Sequence, residues 1–328
     1  MKWNSKAVSL AVAALLLLPL GAVAGGLDLV PPDAVTVGVA NVAQFRSSPL
    51  AGRLFDQADR MTIDGEGAKF LEETGLDPAR DLDLVTFALA PKRGEPDAAE
   101  VLVVFEGRFD VAKIGTAMRS RGAVPVDHAA GTYYELPGES DDREGHGRDA
   151  VIALVDRGLI LAGSSSAVVR ALGLVSTGGG SFIAAGALAP GLARIDPTAS
   201  AWVLVDVPRT TRLHHQPDWK GEEGHPAGAL LESVKRISTV SMWTTDSGDA
   251  LAFGVTATST DAETLDLLED AARGALATWR LAVQEKDPDM VDVIRRFRVR
   301  QDGDGVTLSG SIEGETLRKF TSRHGSPL

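Results

Sequence analysis

The chain of 328 residues contains no cysteine. That excludes a disulfide framework, a thiolate zinc ligand, a cysteine nucleophile and a thiol near the N-terminus to carry a lipid. Stability must therefore come from packing. Aromatic residues make up only 5% of the chain, with two tyrosines and five tryptophans, so leucine, valine and alanine have to fill the interior and few rings are left as stacking platforms. Positive charge is also scarce: the formal net charge is −12. A phosphate backbone needs a clustered cationic surface, so no nucleic-acid partner is expected. Beyond the first two dozen residues no apolar run approaches the roughly 20 residues that span a bilayer.

The N-terminus is what stands out. Lys2 and Lys6 precede an uncharged apolar run from Ala7 to Leu20, Pro19 and Gly21 end it, and Ala22-Val23-Ala24 supplies small residues. This is the pattern of a secretory signal cleaved after Ala24, with Ala22 and Ala24 as the recognised small positions. An uncleaved N-terminal anchor is the alternative. Export places the protein in the periplasm or outside the cell, with no integral membrane segment once the signal is gone. Removing residues 1–24 takes two lysines and no acids, which makes the chain more acidic still.

Hydrophobic period predicts an α+β fold written as two pseudo-repeats, each a mostly antiparallel sheet covered on one face by helices. In the first half, strands are expected at 35–42, 82–90, 100–107, 133–136, 150–156 and 159–162, with helices from Ser48, over 110–121 and from Ser165. In the second, strands are expected at 201–207, 237–245, 250–257, 293–300 and 306–312, with helices at 227–235, 261–284 and from Glu315. The organisation read from this is a signal at 1–24, a first lobe at 25–176, a Gly/Pro-containing connector at 177–199 and a second lobe at 200–328. The two halves either share one continuous sheet or form two lobes in contact, and the second is the working expectation.

Local chemistry supports individual elements. Ser48-Pro49 suits a helix start, with Leu50, Leu54, Ala58 and Met61 on one face. Thr260 and Glu263 have capping-box spacing ahead of a stripe of Leu265, Leu268, Ala272, Leu276, Trp279 and Val283. Asp302-Gly303-Asp304-Gly305 suits a tight hairpin turn.

Pro31-Pro32-Asp33-Ala34-Val35, Ser48-Pro49-Leu50, Thr74-Gly75-Leu76-Asp77-Pro78 and Asp81-Leu82-Asp83 together resemble a broad group of exported bacterial proteins of uncharacterised function. The resemblance covers roughly residues 30 to 90, implies an exported location and carries no catalytic residue across. The same residues have a physical reading, with Gly75 ending a helix and Pro78 preventing its continuation.

Candidate chemistry is sparse. His214, His215 and His225, accompanied by Asp218, Glu222 and Glu223, could ligate Zn²⁺ or a similar ion, although adjacent histidines in an extended chain point apart and no helical His-x-x-x-His pair is present. A solvated polar loop explains them more simply. Gly163-Ser164-Ser165-Ser166-Ala167 resembles a nucleophile elbow at a strand-to-helix junction, but a helix cap accounts for it more simply. Gly178-Gly179-Gly180 lacks the Lys-Ser/Thr of a phosphate loop. The run from Glu139 to His146 suits a solvated acidic loop, and Tyr133 and Tyr134, adjacent on a strand, must face opposite sides. Trp202, Trp243 and Trp279 suit core packing. No catalytic residue and no cofactor is assigned. The expectation is an exported, non-enzymatic binding or interaction module with an unidentified ligand or protein partner, against the alternatives of a metal-assisted or serine hydrolase and an envelope-associated structural protein that pairs through a sheet edge.

Overall fold

The computed structural model describes residues 26–48, 66–137, 150–177, 182–213, 236–246, 248, 250–284 and 288–316. Its centre is one sheet of twelve strands, every neighbouring pair antiparallel. In chain order these are β1 (Thr36–Ala40), β2 (Leu82–Lys92), β3 (Glu95–Gly107), β4 (Val124–His128), β5 (Gly131–Glu135), β6 (Ala150–Leu154), β7 (Leu159–Ser164), β8 (Ala201–Asp206), β9 (Thr239–Asp246), β10 (Ala250–Thr258), β11 (Arg298–Asp302) and β12 (Gly305–Glu313). Across the sheet the order is β11-β12-β10-β9-β8-β1-β2-β3-β7-β6-β5-β4.

The single sheet differs from the expected pair of sheets, and the reason lies in β1. All five of its residues are buried, so both of its edges need partners. It takes β2 on one side and β8 on the other, with Thr36 opposite Leu89 and Val205, and Ala40 opposite Val85 and Ala201. Gly38, at the middle of β1, lies against the Phe87 ring: a Cβ there would sit 2.0 Å from Cε1. Only glycine admits that ring.

The expectation of helices on one face is also corrected. The β3 run Val101-Leu102-Val103-Val104-Phe105 is apolar at every position, so both faces of the sheet need cover. One face, carrying Val37, Val39, Leu84, Leu102, Val104, Leu161 and Leu204, is covered by the 3-10 turn Gly26–Leu29 and by the helix Ser165–Thr177 through Ala167, Val168, Ala171 and Leu172. Phe182, fully buried in the short helix Phe182–Ala185, completes that layer, its amide donating to the Val30 carbonyl at 3.0 Å. The opposite face, with Phe105, Tyr134, Ile152 and Ile160, is covered by Ile114 and Met118 of the helix Val111–Ser120 and by Phe70 of the helix Glu66–Thr74. Each such fully buried side chain stabilises the fold by about 1.5–3 kcal/mol before conformational entropy is charged.

Several local details moved. Ser48 follows a helix, Val42–Ser47, instead of starting one; Asn41 caps that helix by accepting from the Gln44 amide at 2.9 Å, and the Ser48 hydroxyl donates to Asp246. Residues 50–61 lie outside the described residues. Gly75 (φ 68°) ends the helix Glu66–Thr74, and Pro78 then opens a one-turn helix, Pro78–Asp81, capped by Asp77. The long helix Ala262–Val283 is capped by Asp261, which accepts from the Thr264 amide, one position from the expected Thr260. Asp302 and Gly305 close the hairpin between β11 and β12, with Gly303 at φ 59°. Elements not anticipated include β4, the helix Val207–Leu213 and the helix Pro288–Arg295, which occupies the start of the expected strand 293–300. The strand there begins only at Arg298. The expected helix at 227–235 lies outside the described residues.

Both outer strands resist further pairing. β4 contains Pro125, which has no amide to donate, and β11 carries Arg298, Arg300 and Asp302.

Candidate functional site: an arginine-floored cleft

A cleft of about 450 Å³ opens where the chain enters β1, lined by Leu29, Pro31, Pro32, Asp33, Arg93, Arg170 and Leu174. Three elements build it. The segment Leu29–Asp33 runs from the 3-10 turn into β1, Arg93 sits in the turn between β2 and β3, and Arg170 and Leu174 are one helical turn apart on Ser165–Thr177.

The floor of the cleft is electrostatic. Glu100 on β3 is only 1% exposed and accepts from Arg170 Nη2 at 2.5 Å. The Arg93 amide donates to its other oxygen at 3.3 Å. Arg170 Nη1 lies 3.4 Å from Asp33 Oδ2, and the Asp33 carbonyl accepts from Arg209 Nη2 at 2.9 Å, which holds the loop in place. A buried carboxylate has to be paired, and here one guanidinium serves two acids. Arg170 Nε is buried without a hydrogen-bond partner. The Arg93 guanidinium, at the exposed rim, pairs with no carboxylate among the described residues. The remaining lining is apolar. Apolar walls with a few fixed polar groups, in this size range, are what small-molecule sites have in common.

The residues singled out from sequence lie elsewhere. His214, His215 and His225 fall outside the described residues, as do Ala22 and Ala24, the glycines at 178–180 and the acidic run 139–146. Among the described residues no group of three or more His, Asp and Glu side chains is placed to hold a metal ion. Ser164 ends β7 and its hydroxyl accepts from the Val101 amide at 3.0 Å, so it serves a strand junction, while Ser165 and Ser166 open the helix. The described His128 is engaged locally, its Nδ1 accepting from the Ala130 amide at 3.2 Å. Asp304 of the hairpin turn pairs with Arg194. Trp202 and Trp243 are cross-strand partners and pack into the core. Trp279, by contrast, is 40% exposed, its ring edge-on to Phe297 at 5.8 Å.

Asp33, Arg93, Glu100 and Arg170 were missed. One signal was available: Arg170 is the only charged residue in the apolar helix stretch Ala167–Val175, and a lone charge on a buried face needs a partner. Nothing local identifies that partner as Glu100, seventy positions away.

No family model matches the chain, and no curated protein matches it in sequence. Among solved structures the fold is similar to that of TP0453. Crystal form III of that protein is 13% identical over 90% of this chain and 97% of that chain, with a TM-score of 0.51. Crystal form I, also 13% identical, aligns over 92% and 98% with a TM-score of 0.49. At this identity the likeness concerns the fold alone.

Proposed function

We propose that the protein is exported, processed after Ala24, and binds a small organic anion with an apolar body in the cleft between Leu29–Asp33 and Arg170, without chemical turnover. The carrying observation is the pairing of apolar walls, Leu29, Pro31, Pro32 and Leu174, with the exposed Arg93 guanidinium at the rim, which meets no carboxylate among the described residues, and a buried Glu100–Arg170 pair beneath it. Among the described residues the lining contains no serine, threonine, lysine, histidine or tyrosine to act as nucleophile, and both acids are engaged by Arg170. An anionic head group would meet Arg93; the body would displace water from the apolar wall. Calorimetric titration with phenylacetate and hexanoate tests this. Saturable binding of either, weakened about tenfold by Arg93→Ala, is expected, since a charge-assisted hydrogen bond contributes about 1.5–3 kcal/mol when desolvated and less at a rim. Absence of binding at millimolar ligand, or affinity indifferent to Arg93, refutes it.

The strand order supports a second part of the reading, an internal duplication. Outward from β1 run β2, β3, β7 and β6; outward from β8 run β9, β10, β12 and β11, with the hairpin β4–β5 added to the first series. Each series is a strand, a hairpin and a second hairpin that comes after a helix, with β4–β5 lying between the helix Val111–Ser120 and β6–β7 in the first series. On this reading residues 25–176 and 200–328 are two units that joined through their first strands, and 177–199 connects them.

A further inference from the structure

Two acceptors next to the start of the described chain have no partner. Thr86 on β2 is fully buried, and its Oγ1 makes no hydrogen bond; Glu106 on β3, half-buried, has one carboxylate oxygen, Oε1, out of contact with water and likewise unpartnered. They lie on the same face: Leu84 stands opposite Glu106 and Thr86 opposite Val104, which makes Thr86 and Glu106 diagonal neighbours. Gly26 is buried directly over them. A Cβ on Gly26 would lie 2.4 Å from Thr86 Oγ1 and 3.0 Å from Glu106 Oε1. Burial pushes the Glu106 carboxyl above the ordinary glutamate range, and the neighbouring Gly26 amide offsets that only in part. One backbone amide does not compensate a desolvated carboxylate.

We infer that Thr86 and Glu106 form a receptor for the α-ammonium group that processing creates at Gly25. The inference rests on cleavage after Ala24. Hydrolysis of the Ala24–Gly25 amide by a signal endopeptidase consumes one water, frees the Ala24 carboxylate and releases the Gly25 amine, which is protonated at neutral pH. Three backbone bonds separate that nitrogen from the Gly26 nitrogen, so the two are at most about 3.7 Å apart. An ammonium brings three donors, and Glu106 Oε1 and Thr86 Oγ1 are two acceptors in need of them. In the unprocessed chain the same nitrogen is an amide with one donor and no charge. Removal of the signal thereby adds an internal ion pair to the sheet and ties the first turn of the chain down. Gly26 is required because any side chain would separate the terminus from both acceptors.

The test follows acylation of the α-amine in the mature chain beginning at Gly25, using a water-soluble acylating reagent at pH 7 with the N-terminal peptide quantified by mass spectrometry. An ion pair that raises the amine pKa by one unit lowers the reactive free-base fraction about tenfold. Reaction about tenfold slower than that of a glycyl-glycyl peptide is expected, restored by Glu106→Gln. A chain beginning at Ala22, with Glu106 intact, moves the amine away and is expected to react at the peptide rate. Peptide-like reactivity of the folded Gly25 chain overturns the receptor, as does equal slowing in the Glu106→Gln or Ala22 proteins. Sequencing the N-terminus of the exported protein separates the two layers: a start other than Gly25 overturns the processing and the receptor together, whereas a Gly25 start with a peptide-like rate overturns the receptor alone.

Discussion

Replacing Arg170 by methionine keeps most of the side-chain volume and removes the guanidinium from a carboxylate that has almost no access to water. Glu100 is 1% exposed, and among the described residues Arg170, whose Nη2 lies 2.5 Å away, is its only charged partner. At an effective dielectric constant near 20, opposite charges about 4 Å apart attract by about 4 kcal/mol, and breaking a buried pair from one side typically costs about 3–5 kcal/mol. Two features reduce this. Arg170 is 19% exposed, and the Arg93 amide continues to donate to Glu100. A loss of about 3 kcal/mol is expected for Arg170→Met, with much less for the double variant Glu100→Gln/Arg170→Met, because the second change removes the stranded charge. Asp33→Asn serves as a control. Its carboxylate is 40% exposed and 3.4 Å from Arg170, so about 0.5 kcal/mol or less is expected. Urea denaturation followed by tryptophan fluorescence, to which the buried Trp202 contributes, measures all three. With a denaturant slope of about 3 kcal/mol per molar for a chain of this size, the midpoint of Arg170→Met moves down by about 1 M. A shift under about 0.2 M, or a double variant as unstable as the single one, would falsify the claim that this pair is a buried electrostatic anchor.

Other perturbations address the rest of the molecule. Gly38→Ala forces a Cβ into the Phe87 ring at the centre of the sheet, so thermal melts are expected to report a loss of about 1–3 kcal/mol, with Gly38→Ala/Phe87→Leu recovering part of it. Phe182→Ala empties a site with 0% exposure between the sheet and its helical layer and is expected to cost about 3–5 kcal/mol by urea titration; a cost below 1 kcal/mol would mean that the 177–199 segment does not close the core. In a chain carrying an acetylated or extended N-terminus, Glu106 is pushed up by burial, so its folded pKa exceeds its unfolded one. The folded state then holds the proton more tightly than the unfolded state, and stability is highest below the ordinary glutamate range and falls as the pH rises through the raised folded pKa. Glu106→Gln is expected to abolish that fall, and a wild-type chain whose melting temperature is flat across the window counts against the burial effect.

Periodicity made the elements legible wherever the signal was local. Alternation in β9, β10 and β12, the turn Asp302–Gly305, the stop at Gly75 and the stripe of the helix Ala262–Val283 all follow from residues within one or two turns of each other. The helix Pro288–Arg295 escaped because Val293 and Ile294, both buried, read as the start of a strand when taken with Arg296–Arg300. The tryptophans show the same limit. Trp279 lies on the expected apolar stripe, yet the stripe loses cover toward its C-terminal end: Leu265 is 4% exposed and Trp279 40%.

What the chain determines by itself is short-range: strands and helices read from spacing, a net negative charge, and a core of aliphatic residues without covalent ties. Tertiary structure alone decided that β1 and β8 share their hydrogen bonds and merge two series of strands into one sheet, and that residues 33, 93, 100 and 170 meet around one cleft. Backbone pairing is indifferent to side-chain identity, so any buried strand with two open edges is an acceptable neighbour for another, and the choice is settled by which arrangement covers the most apolar surface. Ion pairs between distant positions follow from that choice, since a charge acquires its partner only after the sheet has set the distance between them.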